Sequence, residues 1–286
     1  MKRFFKRFTC LILCLAALAG SGAAEVKRTA ELDVALSFLE PNNDFLKRYN
    51  ALTGAGIEAV FEAGTPYLFG GKYSPRMFER APAYSKRIAY TDTDFFRNGQ
   101  VYLFGFDCSG FIQYIDMQTG KQKLPPLSTI LYAASHHTSP KVVVTSADAP
   151  RLKRLRRQLE PGDLFVIRTK YNHVMMYIGT LRDYGLGRDN PRLKPYLDYP
   201  LCVHCGLSPM YGQRMTNWLR KHRDDEYYNY VNIPDGGVCV SILGVPEQAA
   251  EHYRSVQGNW YAWFVIGTTV VTVYGLEGRE WCVYRE

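Results

Sequence analysis

The heptapeptide Gly105-Phe106-Asp107-Cys108-Ser109-Gly110-Phe111 constrains this chain more than any other stretch. Asp107 is of a type that caps helix N-termini, its carboxylate accepting from first-turn N–H groups. Behind it Cys108, Phe111, Ile112 and Ile115 recur at i, i+3, i+4 and i+7, the apolar stripe of an amphipathic helix over 108–118. The cysteine therefore falls in the first turn. There the positive end of the helix dipole favours a thiolate, and backbone amides can hold an oxyanion. Small Ser109 and Gly110 leave space for a substrate above the sulfur. The plain alternative is a buried cysteine that happens to start a helix.

Beyond that helix the chain carries short apolar runs rather than an alternation of strands and helices. Residues 164–167, 173–178, 201–207 and 238–245 read as strands, and 261–274 with 279–284 as a terminal hairpin turning at 275–278. Before the helix, 25–46 reads as a short polar arm. Leu46, Tyr49, Leu52, Ile57, Val60 and Phe61 have roughly helical spacing, weakened by Gly54 and Gly56. Residues 72–104 and 181–200 read as surface excursions. One helix led by cysteine and several antiparallel strands predict an α+β fold.

A thiolate nucleophile needs a base within reach. His136 and His137 sit in a polar loop, and His222 and His252 among charges. His173 opens an apolar strand after Asn172, and His204 lies inside the strand-like 201–205. On adjacent strands they would be neighbours, His173 serving Cys108 and His204 orienting the His173 ring through its other nitrogen. A lone strand histidine is more often structural; the pair together with Cys108 shifts that balance.

The N-terminus reads as an export signal: basic residues in MKRFFKR, an apolar run at 10–19, small residues at 20–24, and cleavage after Ala24. The run is shorter than the ~20 residues of a spanning helix. The expected location is periplasmic or extracellular, with membrane association left open. Of seven cysteines, five then remain: Cys108, Cys202, Cys205, Cys239 and Cys282. An odd count in an exported chain leaves at least one thiol unpaired or bridged between molecules. A bridge from Cys202 or Cys205 to Cys239 or Cys282 is possible, and pairing among all four would leave Cys108 as the odd thiol. Cys202, His204 and Cys205 invite a zinc reading, but no second cysteine-rich knuckle completes four ligands, so no metal and no cofactor are expected.

The net charge of +8 falls to +4 once Lys2, Arg3, Lys6 and Arg7 are set aside, too diffuse an excess to argue for nucleic acid. With 47% hydrophobic and 22% charged residues the chain is globular, and its 286 residues make one large domain or two small ones. The segment 151–157, RLKRLRR, reads first as a solvated helix with a cationic face. Its sharper reading is a dock for an anionic wall polymer or membrane surface.

Five stretches, in order, resemble the NlpC-type cell-wall cysteine peptidases. They are Gly64-Thr65-Pro66-Tyr67-Leu68-Phe69-Gly70-Gly71, then residues 106–114 around Asp107-Cys108-Ser109-Gly110, then Leu124-Pro125-Pro126-Leu127-Ser128-Thr129, then Leu159-Glu160-Pro161-Gly162-Asp163-Leu164, and then 172–179 from Asn172-His173 onward. The resemblance implies a papain-like fold, the nucleophile helix packed on an antiparallel sheet, with two insertions and a C-terminal hairpin extension. On this reading 1–24 is the signal and 25–46 the arm. Residues 47–246 are the catalytic domain, with insertions at about 72–104 and 181–200, and 247–286 the extension. The resemblance also implies Cys108 as nucleophile, His173 as base and His204 as the polar third residue. Tyr67, Asp107 and Ser109 occupy places that hold substrate in relatives cleaving after γ-D-glutamyl in wall peptides. Met175 stands where a small residue is usual and is expected to crowd the site.

The expected activity is thus thiol-dependent hydrolysis of peptidoglycan stem peptides or muropeptides at a γ-D-glutamyl–diamino acid bond. Its rivals are an amidase or acyltransferase using the same pair, and a silent wall-binding module.

Overall fold

In a computed structural model the described residues are 29–40, 43–54, 65, 67, 68, 71, 94–97, 100–148, 151–207, 229, 230, 236–256, 259–266 and 269–286. The expected export signal at 1–24, residues 72–93 of the first excursion and His222 lie outside them. The chain divides into two compact units. One holds Leu124–His204 and Val240–Glu286, with the described residues up to Asp33; the other holds Val34–Lys123 and Cys205–Cys239.

Two helices precede the cysteine helix: α1 (Ala30–Ser37) and α2 (Asp44–Thr53). Leu32, Ala35, Leu36 and Leu39 keep helical spacing and are all buried. Asn43 caps α2, its side chain accepting from the Leu46 amide at 3.1 Å, and Gly54 ends it at φ +66°. Where it is described, at 29–40 and 43–46, the stretch expected to be a polar arm is instead helical and carries a buried apolar stripe among its acidic residues. The helix expected from 47 starts earlier and stops at Gly54; its expected continuation at 57–61 lies outside the described residues.

In the second unit a hairpin, β1 (Asp94–Arg97) with β2 (Gln100–Leu103), lies within the first excursion. The helix α3 (Cys108–Thr119) then runs as expected, with Cys108, Phe111, Ile112 and Ile115 buried. The Phe38 ring meets Phe106, Phe111 and Tyr114 edge-on at 5.4, 5.5 and 5.4 Å between centroids. Phe45 lies 4.3 Å from Phe106 and stacks on Phe104 at 5.1 Å. Such pairs are worth about 0.5–1.5 kcal/mol each beyond the area they bury. They fix the backbone at Phe106, two residues ahead of the thiol.

In the first unit α4 (Leu127–Ser135), a helix absent from the sequence expectation, packs against β3 (Val142–Thr145). A 3₁₀ turn at Leu152–Arg157 leads to β4 (Leu164–Ile167), β5 (His173–Thr180) and β6 (Pro200–Leu207). The short β7 (Asn229–Tyr230) pairs with β1, and β8 (Gly236–Leu243) comes next in the chain. The chain ends in β9 (His252–Val256), β10 (Asn259–Ile266), β11 (Thr269–Tyr274) and β12 (Trp281–Tyr284). Nine strands form one sheet in the order β3-β12-β4-β5-β6-β8-β11-β10-β9; the pairings from β3 to β6 and from β11 to β9 are antiparallel, and β11 runs parallel to β8. The α+β class expected from the sequence is the class observed.

The terminal hairpin differs from expectation. Residues 261–274 are not one arm; β10 and β11 pair with each other, from Ala262 opposite Val273 to Ile266 opposite Thr269. The segment 281–284 pairs instead with β4 and β3. The reason is burial: Trp281 and Val283 complete a core with Phe165, Ile167, Met175 and Tyr177. Met175 is wholly buried in that core, so it fills the sheet's packed face.

Leu155 and Leu159 join the same core with Leu152 packed against it, which orients the segment 151–157. Arg151, Lys153, Arg154 and Arg157 are exposed, whereas Arg156 turns inward to pair with Asp183 and, at 3.6 Å, with Asp198. Among the described residues no helix is long and apolar enough to cross a membrane.

Candidate active site

The candidate nucleophile lies in the second unit. Asp107 caps α3: its Oδ1 accepts from the Gly110 amide at 2.6 Å and from the Ser109 hydroxyl at 2.9 Å. Cys108 opens the helix and is 8% exposed, reachable from solvent yet held in place. The first four N–H groups of a helix have no acceptor in their own helix, so this turn can present donors to an anion. The Ser109 proton is committed to Asp107, so toward a substrate this hydroxyl acts as an acceptor.

The segment carrying Tyr67 is laced to the same backbone. Tyr67 bridges Phe106 in parallel fashion, the Leu68 amide donates to the Phe106 carbonyl at 2.8 Å, and the Asp107 amide donates to the Gly71 carbonyl at 3.1 Å. Gly71 is required by the approach: a Cβ there would stand 2.9 Å from the carbonyl oxygens of both Gly105 and Leu68. Tyr67, Asp107, Cys108 and Ser109 are thus brought together. The Cys205 thiol also donates to the Phe106 carbonyl, at 3.2 Å. Burial is the main cause pushing this thiol's pKa well up, which keeps the proton it donates. Sequence reasoning weighed Cys205 for a bridge or a metal and missed this brace; nothing in the spacing announced it.

The two candidate histidines lie in the first unit. In β5 and β6, Met176 is opposite Val203 and Tyr177 opposite Cys202. Strand alternation then puts His173 and His204 on one face, the face of Met175, Tyr177 and Cys202. His173 Nε2 is 3.0 Å from His204 Nδ1, and His204 Nε2 is 2.7 Å from the Ser241 hydroxyl. Ser241 in turn bonds Thr272, whose hydroxyl donates to the Val240 carbonyl at 2.9 Å. Tyr274 stacks on His173 with ring centroids 5.6 Å apart at 15°, and Arg279 lies 5.6 Å from the Tyr274 ring centroid. His204 is 2% exposed, and burial, aided by His173, holds its pKa well below the usual imidazole value. A neutral His204 accepting at Nδ1 is the partner an imidazolium at His173 needs.

Sequence reasoning found both histidines but missed Ser241, Thr272 and Tyr274. A serine and a threonine inside apolar strands carry no motif, and only the pairing of β8 with β11 makes them neighbours. His136 stacks on Tyr132 and His252 on Trp263, which leaves neither in this cluster.

None of the five described cysteines is in a disulfide. Of the pairings considered from sequence, Cys202 with Cys282 is ruled out by topology, since the two are buried on strands separated by β4 and β5. Among the described residues no three His, Cys, Asp or Glu side chains gather as a metal site.

Residues 64–184 match the model of the NlpC/P60 family. No curated protein and no solved structure matches the chain. The match is to cell-wall cysteine peptidases, and the α+β architecture with its nine-stranded, mainly antiparallel sheet is consistent with the papain-like fold of that family.

Proposed function

With residues 64–184 an NlpC/P60 segment, we propose that the chain is an exported cysteine peptidase that hydrolyses bacterial wall peptides at a γ-D-glutamyl–diamino acid bond. The observation that carries this reading is the file His173–His204–Ser241, a hydrogen-bonded orienting chain, buried at His204 and Ser241, behind a strand-opening imidazole. The capped first-turn thiol at Cys108 is its complement in chemistry.

In the proposed reaction His173 takes the thiol proton of Cys108, and Sγ attacks the peptide carbonyl carbon. The oxyanion is held by first-turn amides of α3, and His173 gives its proton to the leaving amine as the C–N bond breaks. A thioester remains. His173 then takes a proton from water, whose oxygen attacks the thioester; the carboxylate leaves and the thiol is restored. His204 keeps the His173 ring oriented throughout. Tyr67, Asp107 and Ser109 hold the substrate. The Asp107 carboxylate suits the ammonium of an N-terminal L-Ala. The export signal at 1–24 assigns the protein to the periplasm or beyond. The exposed cations of 151–157 give it a weak hold on anionic wall polymer or membrane surface.

Mass spectrometry of defined muropeptides incubated with the mature chain tests this. The expected products are a fragment ending in γ-D-Glu and one beginning with the diamino acid, both abolished by Cys108→Ala in a chain of unchanged circular dichroism. Cleavage at another amide, or transfer to an added amine, would assign the same thiol to an amidase or acyltransferase. Wall binding without cleavage would leave a silent binding module.

A further inference from the structure

The hydroxyls behind the histidine pair decide which ring nitrogens carry protons. Thr272 has one hydroxyl proton, and it goes to the Val240 carbonyl at 2.9 Å. In its bond with Ser241, Thr272 must then accept, so Ser241 donates to it. The single proton of Ser241 is thereby spent, and Ser241 can only accept from His204 Nε2 at 2.7 Å. His204, carrying its proton on Nε2, offers a bare Nδ1 to His173 Nε2 at 3.0 Å. His173 in turn carries its proton on Nε2, which makes its Nδ1 the basic nitrogen.

The opposite arrangement is chemically complete. Were Ser241 to donate to His204, His204 would hold its proton on Nδ1. His173 would then accept at Nε2 and carry its proton on Nδ1, where a general base needs a lone pair. The file is therefore a two-state proton wire, and what biases it sits at its far end. Strand register puts it there: Thr272 on β11 lies directly opposite Ser241 on β8, and both side chains are buried.

We propose that Thr272, acting through Ser241, is a positioning residue that fixes the tautomers of His204 and His173 so that Nδ1 of His173 is the base. Thr272 lies beyond the matched segment 64–184, so residues of the C-terminal strands complete the histidine half of the site. The consequence for turnover rests on the function proposed above; the tautomer assignment does not.

The test is long-range proton–nitrogen NMR on ¹⁵N-histidine-labelled mature chain carrying Cys108→Ala, with His204→Gln used to assign signals. The expected spectrum has His204 protonated at Nε2 and bare at Nδ1. Thr272→Val, close in shape but without the hydroxyl, is expected to mix the two tautomers, and Thr272→Ser to restore one. In the Cys108 enzyme Thr272→Val should lower kcat roughly 10-fold with KM nearly unchanged, the size of one net hydrogen bond, and Thr272→Ser should recover most of it. A merely structural role would lower stability without moving the tautomer. The proposal is overturned if His204 is protonated at Nδ1 in the parent chain, or if Thr272→Val leaves the tautomers as they were. Should Thr272→Val not fold, Ser241→Ala takes its place: unchanged tautomers overturn the proposal, mixed ones support it. A chain that cleaves no wall peptide but shows the expected tautomers refutes the proposed function and retains this one.

Discussion

His204 stands between two partners at hydrogen-bond distance, His173 at 3.0 Å on one side and Ser241 at 2.7 Å on the other, in a setting that leaves it 2% exposed. A ring so enclosed resists protonation. Its pKa in the folded chain lies well below 6.5, the value it takes when unfolded. As pH falls through the unfolded value, the unfolded chain takes up a proton that the folded chain refuses. The stability is thus fully present above about pH 6.5 and declines below it, at up to about 1.4 kcal/mol per pH unit from this one group. Urea denaturation between pH 5 and 8 should show that slope, and His204→Gln should flatten it. A parent slope no steeper than that of His204→Gln would contradict the neutral buried imidazole.

Thiol labelling should sort the cysteines. Cys202, Cys205 and Cys282 are fully buried, and burial raises all three pKa values, Cys282 to about 12. Native protein treated briefly with iodoacetamide at neutral pH is expected to be alkylated at Cys108 first. The partly exposed Cys239 comes second, and the other three react only after unfolding. Peptide mapping reads the order; early modification of Cys202 or Cys282 would contradict the packed sheet.

Much of this was legible in the sequence. Asp107 before an apolar stripe announced α3 and its cap, and two histidines in strand-like runs announced the imidazole pair. What escaped depended on pairing across the chain. The stripe Leu32, Ala35, Leu36 and Leu39 was hidden among acidic residues, and its value lies in Phe38 meeting Phe106, Phe111 and Tyr114. The terminal strands were mis-joined because periodicity says which residues face a core and not which strand lies beside which. Ser241 and Thr272 became meaningful only when β11 was seen parallel to β8.

Gly71→Ala should damage the thiol half without touching the thiol. The added methyl would press on the carbonyls of Gly105 and Leu68 at 2.9 Å and on Phe106 Cα at 3.1 Å, all backbone atoms with little room to yield. A cost of about 1–3 kcal/mol is expected, with loss of hydrolysis exceeding the loss of folded protein. Denaturation midpoints and kcat/KM measured together check this.

Arg285→Ala should loosen the turn before β4. Arg285 grips the buried Asp163 with two bonds, 2.7 Å to Oδ1 and 2.8 Å to Oδ2, and reaches the Gln158 carbonyl at 2.9 Å. Asp163 is 2% exposed, so removing the guanidinium strands a buried carboxylate; since the arginine itself is partly solvated, about 1–3 kcal/mol is expected. Arg285→Lys should recover little of it, since an ammonium cannot span both oxygens. Urea midpoints of the three proteins decide.

The placement of β12 bears on when this protein can become active. Its four residues are synthesised more than a hundred positions after the two strands it separates, β3 and β4. Until 281–284 emerge, those neighbours face a gap one strand wide, and Trp281 is missing from the core they share with Met175 and Tyr177. A nascent chain therefore lacks part of the core packed on Met175 and Tyr177 of β5, and the sheet closes only when this late segment takes its place between β3 and β4.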